Sequence, residues 1–252
     1  MAPFVFPHLN LLLLGVTFAY PGGSQQPVFT DTTVSLSAKC RVAVVGRNGS
    51  GKSTFVQLMT GALAPQKGDV WRDPHLRVAL YSQHDTEALE ALGDAVTPLK
   101  HMMDSFPGKR EQELRALLGS FGLGGALAVQ EMRTLSGGQR VRVAFAKLSV
   151  SAPHILIMDE PTNHLDIYSI DALQDALKAF AGGVVIISHN LSLLRALDCE
   201  VLVASIKDRQ MKRYEGGVEA YLERQEQLAA KREAAAAATA SNSKARSGRK
   251  VW

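Results

Sequence analysis

The sequence predicts an α/β domain built on a largely parallel sheet. Short apolar runs of strand length alternate with stretches of helical periodicity. One run, Cys40–Val45, passes straight into a glycine-rich turn followed by a helix. Two others, Ile155–Met158 and Val184–Ile187, are continuously apolar, the pattern of strands buried on both faces. The 252 residues suffice for one large domain or two small ones, which excludes a disulfide-stapled miniprotein. A chain 46% hydrophobic and 21% charged is not disordered throughout.

The longest apolar run, Leu9 to Tyr20, falls short of the roughly 20 residues that span a bilayer. No Lys or Arg precedes it and no small-residue cleavage pattern follows, so it reads as a strand, with Leu12, Leu14, Val16, Phe18 and Tyr20 on one face. Helices are expected at Ser53–Gly61, behind the glycine turn, and at Lys109–Phe121, where Leu114, Leu117, Leu118 and Phe121 form one stripe. A further helix is expected at Arg140–Ser149. After Tyr221 the composition turns to Ala, Glu, Lys and Arg, then to Ser, Asn and Gly, as in a fraying helix that passes into a disordered end. Cys40 and Cys199 stand far apart without a CxxC pattern, so reduced thiols are expected rather than a zinc site or a disulfide. Of the net charge of +4, residues 229–252 carry +5 and residues 1–228 carry −1. The tail is therefore the one evident basic run for RNA, with a solvated end as the simpler reading.

Gly46-Arg47-Asn48-Gly49-Ser50-Gly51-Lys52-Ser53 is a complete phosphate-binding loop. Glycines let backbone N–H groups turn inward on phosphates, and the helix that follows, opening on Ser53 and Thr54, adds its positive end. Lys52 can reach the β- and γ-phosphates, and the Ser53 hydroxyl can ligate Mg²⁺. A metal carboxylate is supplied by Asp159, and Glu160 beside it can orient and deprotonate an attacking water. Alone, an apolar strand ending in Asp-Glu is common, but downstream of a phosphate loop it is specific. Between the two lies Leu135-Ser136-Gly137-Gly138-Gln139, small residues opening a helix and so forming a second anion site.

In this company, Leu135–Gln139 resembles the signature of ATP-binding cassette proteins, in which one cassette's signature closes over ATP held by another's phosphate loop. The resemblance implies an adenine-stacking role for Tyr20, a Mg²⁺ and γ-phosphate sensor at Gln83, an interface carboxylate at Asp166 and a γ-phosphate contact at His189. Glu160-Pro161-Thr162-Asn163-His164-Leu165-Asp166 and Gln83-His84 resemble subfamily F, as do Glu113–Leu123 and Gly182–His189, most closely the C-terminal cassette of eukaryotic twin-cassette members linked to translational control. The implied fold is a nucleotide-binding domain over residues 10–225, with an antiparallel β subdomain, a helical subdomain inserted at 84–134, and a tail at 226–252. The implied function is Mg²⁺-dependent ATP hydrolysis by a cytoplasmic cassette that is active only as a pair. Catalysis falls to Glu160, His189, Gln83 and Lys52, metal binding to Ser53, Gln83 and Asp159, and nucleotide binding to Tyr20, residues 46–54 and residues 135–139. The partner is a second copy or an upstream cassette, coupled to ribosome or RNA and without a membrane. The alternatives are a transporter's nucleotide-binding subunit and a truncated cassette that binds ATP but lacks its partner. Two departures stand out: Asn190 where the family has Asp, and Phe55 where Leu is common.

Overall fold

The computed structural model describes residues 9–22, 26–82, 89, 91–92, 96–163, 165–228 and 230. Its strands are β1 (Asn10–Phe18), β2 (Phe29–Ser37), β3 (Arg41–Val45), β4 (Lys67–Arg72), β5 (Val78–Ser82), β6 (Ile155–Asp159), β7 (Gly183–Ile187), β8 (Glu200–Ser205) and β9 (Gln210–Tyr214). Its helices are α1 (Lys52–Thr60), α2 (Pro98–Ser105), α3 (Glu111–Ser120), α4 (Gly137–Val150), α5 (Ile167–Ala179), α6 (Leu191–Ala196) and α7 (217–228), with 3₁₀ turns at Gly125–Val129 and Met132–Thr134. The chain folds as α/β with two sheets, one ordered β2-β1-β4 and the other β5-β6-β7-β3-β8-β9. The larger sheet is parallel except for β9.

Alternation along the central strands sorts their side chains into two cores, one on each side of the sheet. Ala43, Val45, Leu156, Met158, Val184 and Ile186 join the core that includes Met102 of α2, Leu114 and Leu118 of α3, Phe145 of α4 and Leu173 of α5. Their sequence neighbours Val42, Val44, Ile155, Ile157, Val185 and Ile187 meet Phe55, Leu58 and Met59 of α1 together with Leu11, Leu13 and Leu36 of the antiparallel sheet. Each such Val, Leu, Ile, Phe or Met side chain contributes roughly 1.5–3 kcal/mol relative to exposure. Phe55 is among the filled positions: its ring meets Phe29 edge-on at 6.4 Å, which accounts for an aromatic there.

The expectation that one face of β1 carries Leu12, Leu14, Val16, Phe18 and Tyr20 is corrected. Leu11 and Leu13 are buried in the first half, whereas Leu14 is 47% exposed; in the second half Val16 and Phe18 turn inward. The pairing with β2 shifts register between Leu13 and Val16, at Gly15 with φ +60°. A bulge there adds one residue and reverses which phase faces the core.

The entry to β7 is held by Arg41, which donates through Nη2 to the Phe180 carbonyl at 2.6 Å and through Nη1 to the Gly182 carbonyl. Because β3, β6 and β7 are parallel neighbours, the residues that follow them emerge along one edge, the usual place for a ligand in such a sheet. Helix α4 starts at Gly137, three residues before the expected Arg140. Ser136 and Gln139 form a capping box that satisfies the N–H groups of those two residues and extends the helix to the glycines. The basic run of the tail lies outside the described residues.

Candidate nucleotide-binding site

The glycine loop joins β3 to α1. Gly51 caps α1 with φ +97°, and a Cβ there would stand 2.6 Å from Val28 Cγ1 and 2.8 Å from Phe29 Cζ, so only glycine fits. A Cβ on Gly46 would stand 2.7 Å from Ser50 Oγ and 2.8 Å from the Ala204 carbonyl oxygen. With Gly51 as its cap, α1 has no side chain over its first N–H groups, and its amino end stays open to an anion. Lys52 Nζ donates to the carbonyls of Gly46 at 2.9 Å and Arg47 at 3.3 Å, which holds the ammonium across the loop itself. Ser53 is exposed at the first turn, while Thr54 is buried and shares a 2.9 Å hydrogen bond with the Tyr20 hydroxyl. Tyr20 also donates to Gln57 Oε1 at 3.2 Å and packs edge-on against Phe18 at 5.1 Å. Its ring, 45% exposed, is therefore fixed beside α1.

Asp159 ends β6 and Glu160 follows it. Glu160 takes φ +48°, uncommon for a side-chain-bearing residue, and its N–H donates to the Ile187 carbonyl of β7 at 2.8 Å. Its side chain meets the second residue beyond β7: Oε1 lies 3.4 Å from His189 Nε2. Burial pushes the Glu160 carboxyl above its ordinary value; His189 and Lys52 oppose this, and Asp159 reinforces it. Glu160 thus senses Lys52, Asp159 and His189 together. A strained, partly buried carboxylate beside a histidine is an arrangement that suits a general base. Ser53 and Asp159 offer hard oxygen donors, a donor set that suits Mg²⁺, which takes one or two protein ligands and completes its shell with phosphate and water.

The turn that opens α4 is rigid. Gln139 N–H donates to Ser136 Oγ at 3.2 Å, Ser136 N–H donates to Gln139 Oε1 at 2.9 Å, and Arg140 Nη1 donates to the Leu135 carbonyl at 2.6 Å. Leu135, expected at the nucleotide, has its side chain buried in the core. What this turn presents is therefore Ser136, Gly137 and Gly138 with the amino end of α4. Asp166 caps α5 by accepting from Ser169 N–H at 2.7 Å, and this bond holds its carboxyl below the usual carboxylate range. Asn190 caps α6 by accepting from Leu193 N–H at 3.0 Å. An amide caps as well as the carboxylate the family prefers, so the departure leaves the helix start intact. Gln83 lies outside the described residues, as does His164.

Residues that motif reading did not reach include Ser188, whose Oγ is 3.2 Å from Thr162 Oγ1 and accepts from Asn190 N–H at 3.0 Å, fastening the turn that carries His189. Arg140 and Ser169 belong with it. The Asp166-x-x-Ser169 spacing was a readable helix-start signal for the last of these.

The ABC transporter family profile matches residues 29–163. The chain is 41% identical to Protein GCN20 of Saccharomyces cerevisiae over 224 residues, which is 86% of this chain and 29% of that protein. It is 44% identical over 189 residues to ABC transporter F family member 3 of Arabidopsis thaliana, covering 75% of this chain and 26% of the relative. With human ATP-binding cassette sub-family F member 3 the identity is 41% over 194 residues, 77% of this chain and 27% of the relative. The chain thus spans between a quarter and a third of the length of these relatives. A bacterial Atm1-family ABC exporter solved with ATP bound superposes with a TM-score of 0.66 at 22% identity, covering 88% of this chain and 41% of that one, which establishes the fold. Among the described residues no helix is long and apolar enough to cross a membrane. Phosphate loop, strand-end acids, fold and relatives agree: the chain belongs to the ATP-binding cassette family, and its named relatives lie in subfamily F.

Proposed function

We propose that the chain hydrolyses ATP as one half of a cassette pair. The observation that carries this reading is the 3.4 Å approach of Glu160 to His189 at the ends of β6 and β7, beside a phosphate loop whose Lys52 opens α1. ATP seats its phosphates on the loop and on the open amino end of α1, with the base against Tyr20. Glu160 takes a proton from water; the water oxygen bonds to the γ-phosphorus, and the bond to the β–γ bridging oxygen breaks, so that ADP leaves with that electron pair. His189 donates to a γ-oxygen, and Lys52 balances charge on the β- and γ-oxygens. Mg²⁺, held by Ser53 and Asp159, supplies further charge neutralisation when bound.

The Ser136–Gly138 turn presents a second helix start, which would cover the γ-phosphate of a partner cassette, either another copy or the remainder of a longer chain. The subfamily F resemblance supports coupling to the ribosome in the cytoplasm. Glu160→Gln tests the chemistry: ATP binding persists, hydrolysis falls by about 10²–10⁴-fold, and ATP traps a pair on gel filtration. Retained hydrolysis by this variant refutes the assignment of the base, and a strict monomer refutes self-pairing. Cosedimentation with ribosomes in a non-hydrolysable ATP analogue tests the coupling, which recovery with membranes alone would overturn.

A further inference from the structure

The two adjacent glycines of the α4 turn are not equivalent. A Cβ on Gly138 would lie 3.5 Å from Ser169 Cα and from the Tyr168 carbonyl oxygen, which is ordinary contact. A Cβ on Gly137 would lie 2.7 Å from Ser169 Oγ, closer than such atoms approach, yet 3.8 Å from Ser169 Cβ. Ser169 is fully buried, so its hydroxyl cannot swing out to solvent. Its N–H is already committed to Asp166 Oδ1. On the other side of the contact, the capping box and the bond from Arg140 to the Leu135 carbonyl fix the turn. The starts of α4 and α5 are thus two braced turns that meet at one hydroxyl.

We propose that Ser169 is a positioning residue whose hydroxyl, seated in the space left by Gly137, fixes the distance between the Ser136–Gly138 turn and the Asp166 loop. The turn and the loop then move as one body, so that a phosphate met by the first sets the place of Asp166. Glycine is required at 137 because of a neighbour within the chain, in addition to any approach of a ligand. This rests on the phosphate-facing role proposed for the turn.

Four variants of the full chain test it: Gly137→Ala, Ser169→Ala, the two together, and Gly138→Ala as a melting control. Alanine favours a helix over glycine, so packing alone can make Gly137→Ala harmful. The expected result is a melting temperature about 3–8 °C lower for Gly137→Ala, no loss beyond about 2 °C for Gly138→Ala, and a double variant within about 2 °C of Ser169→Ala. In ATP turnover, kcat of Gly137→Ala falls at least about tenfold with KM within about twofold, and the double variant returns to within about threefold of Ser169→Ala. Unchanged melting of Gly137→Ala, or no recovery of melting in the double variant, overturns the interlock. Recovered melting with kcat still lost overturns the positioning role, because Gly137 would then act on phosphate directly. Failure of the unaltered chain to hydrolyse ATP would defeat self-pairing and leave the interlock to be decided by the melting series.

Discussion

His189 Nε2 stands 3.4 Å from Glu160 Oε1 and so joins the residues that follow the neighbouring strands β7 and β6. The pair has a measurable pH signature. Burial raises the Glu160 value while His189 and Lys52 lower it. A carboxyl raised on folding binds its proton more tightly in the folded state, so its ionisation costs stability. That cost is absent below the ordinary carboxylate range and complete above the raised value. The ionised form of Glu160 therefore fills late, and, with Glu160 as the proposed base, the acid limb of kcat is expected above the ordinary carboxylate range. Replacing His189 with Ala removes a lowering influence and moves the limb to higher pH, read from kcat profiles between about pH 5 and pH 8. A limb at the same place in both proteins would mean that the two side chains do not interact.

Lys52 holds the loop through two carbonyls, and in the proposed complex its charge passes to a phosphate. Lys52→Ala should weaken ATP about 10–150-fold, as the loss of a charge-assisted hydrogen bond of about 1.5–3 kcal/mol requires. Titration with a fluorescent ATP analogue measures it, and an affinity within twofold of the unaltered chain would refute the contact.

Gly51→Ala combines a left-handed backbone with a contact of 2.6 Å to Val28 Cγ1. Together these should cost about 2–4 kcal/mol. Urea unfolding shows this as a lower midpoint at unchanged slope.

At the start of α6, Asn190→Ala should cost about 1 kcal/mol through loss of the cap, and Asn190→Asp should keep it. Equal stability of all three proteins would show that the cap is idle.

Burial pushes the thiol of Cys40 up to about 11 and that of Cys199 up to about 12. At pH 8 about one thiol in a thousand or fewer is then ionised, so neither should react with a thiol reagent until the protein is unfolded. Rapid labelling of the native chain would contradict the burial of Cys199 and the raised value of the half-buried Cys40.

Much of the architecture was legible because it depends on local pattern. The continuous apolar runs at β6 and β7 announced buried parallel strands, and the phosphate loop between β3 and α1 needs the same residues wherever it occurs. What escaped was set by a single residue or by distant partners. Gly15 reversed the faces of β1, because one extra residue changes the phase of everything beyond it. Arg41 clasps residues 180 and 182, and Ser169 fits beneath Gly137; no window of sequence contains both sides of either contact. The capping box at Ser136 could have been read, since Ser-x-x-Gln is a helix-start spacing, and it would have begun α4 at the right residue.

The sheet order seats β3 between β7 and β8, with Arg41 beside Val184 and Val42 beside Glu200. A chain made from its amino end releases the glycine-loop strand long before either neighbour exists. Until the last third of the domain has been synthesised, the loop has its motif but no frame, and the nascent strand has both backbone edges unpaired. The capacity to hold nucleotide is therefore acquired near the end of translation of this domain. A fragment cut ahead of β8 would carry every residue of the loop yet leave one edge of β3 unpaired.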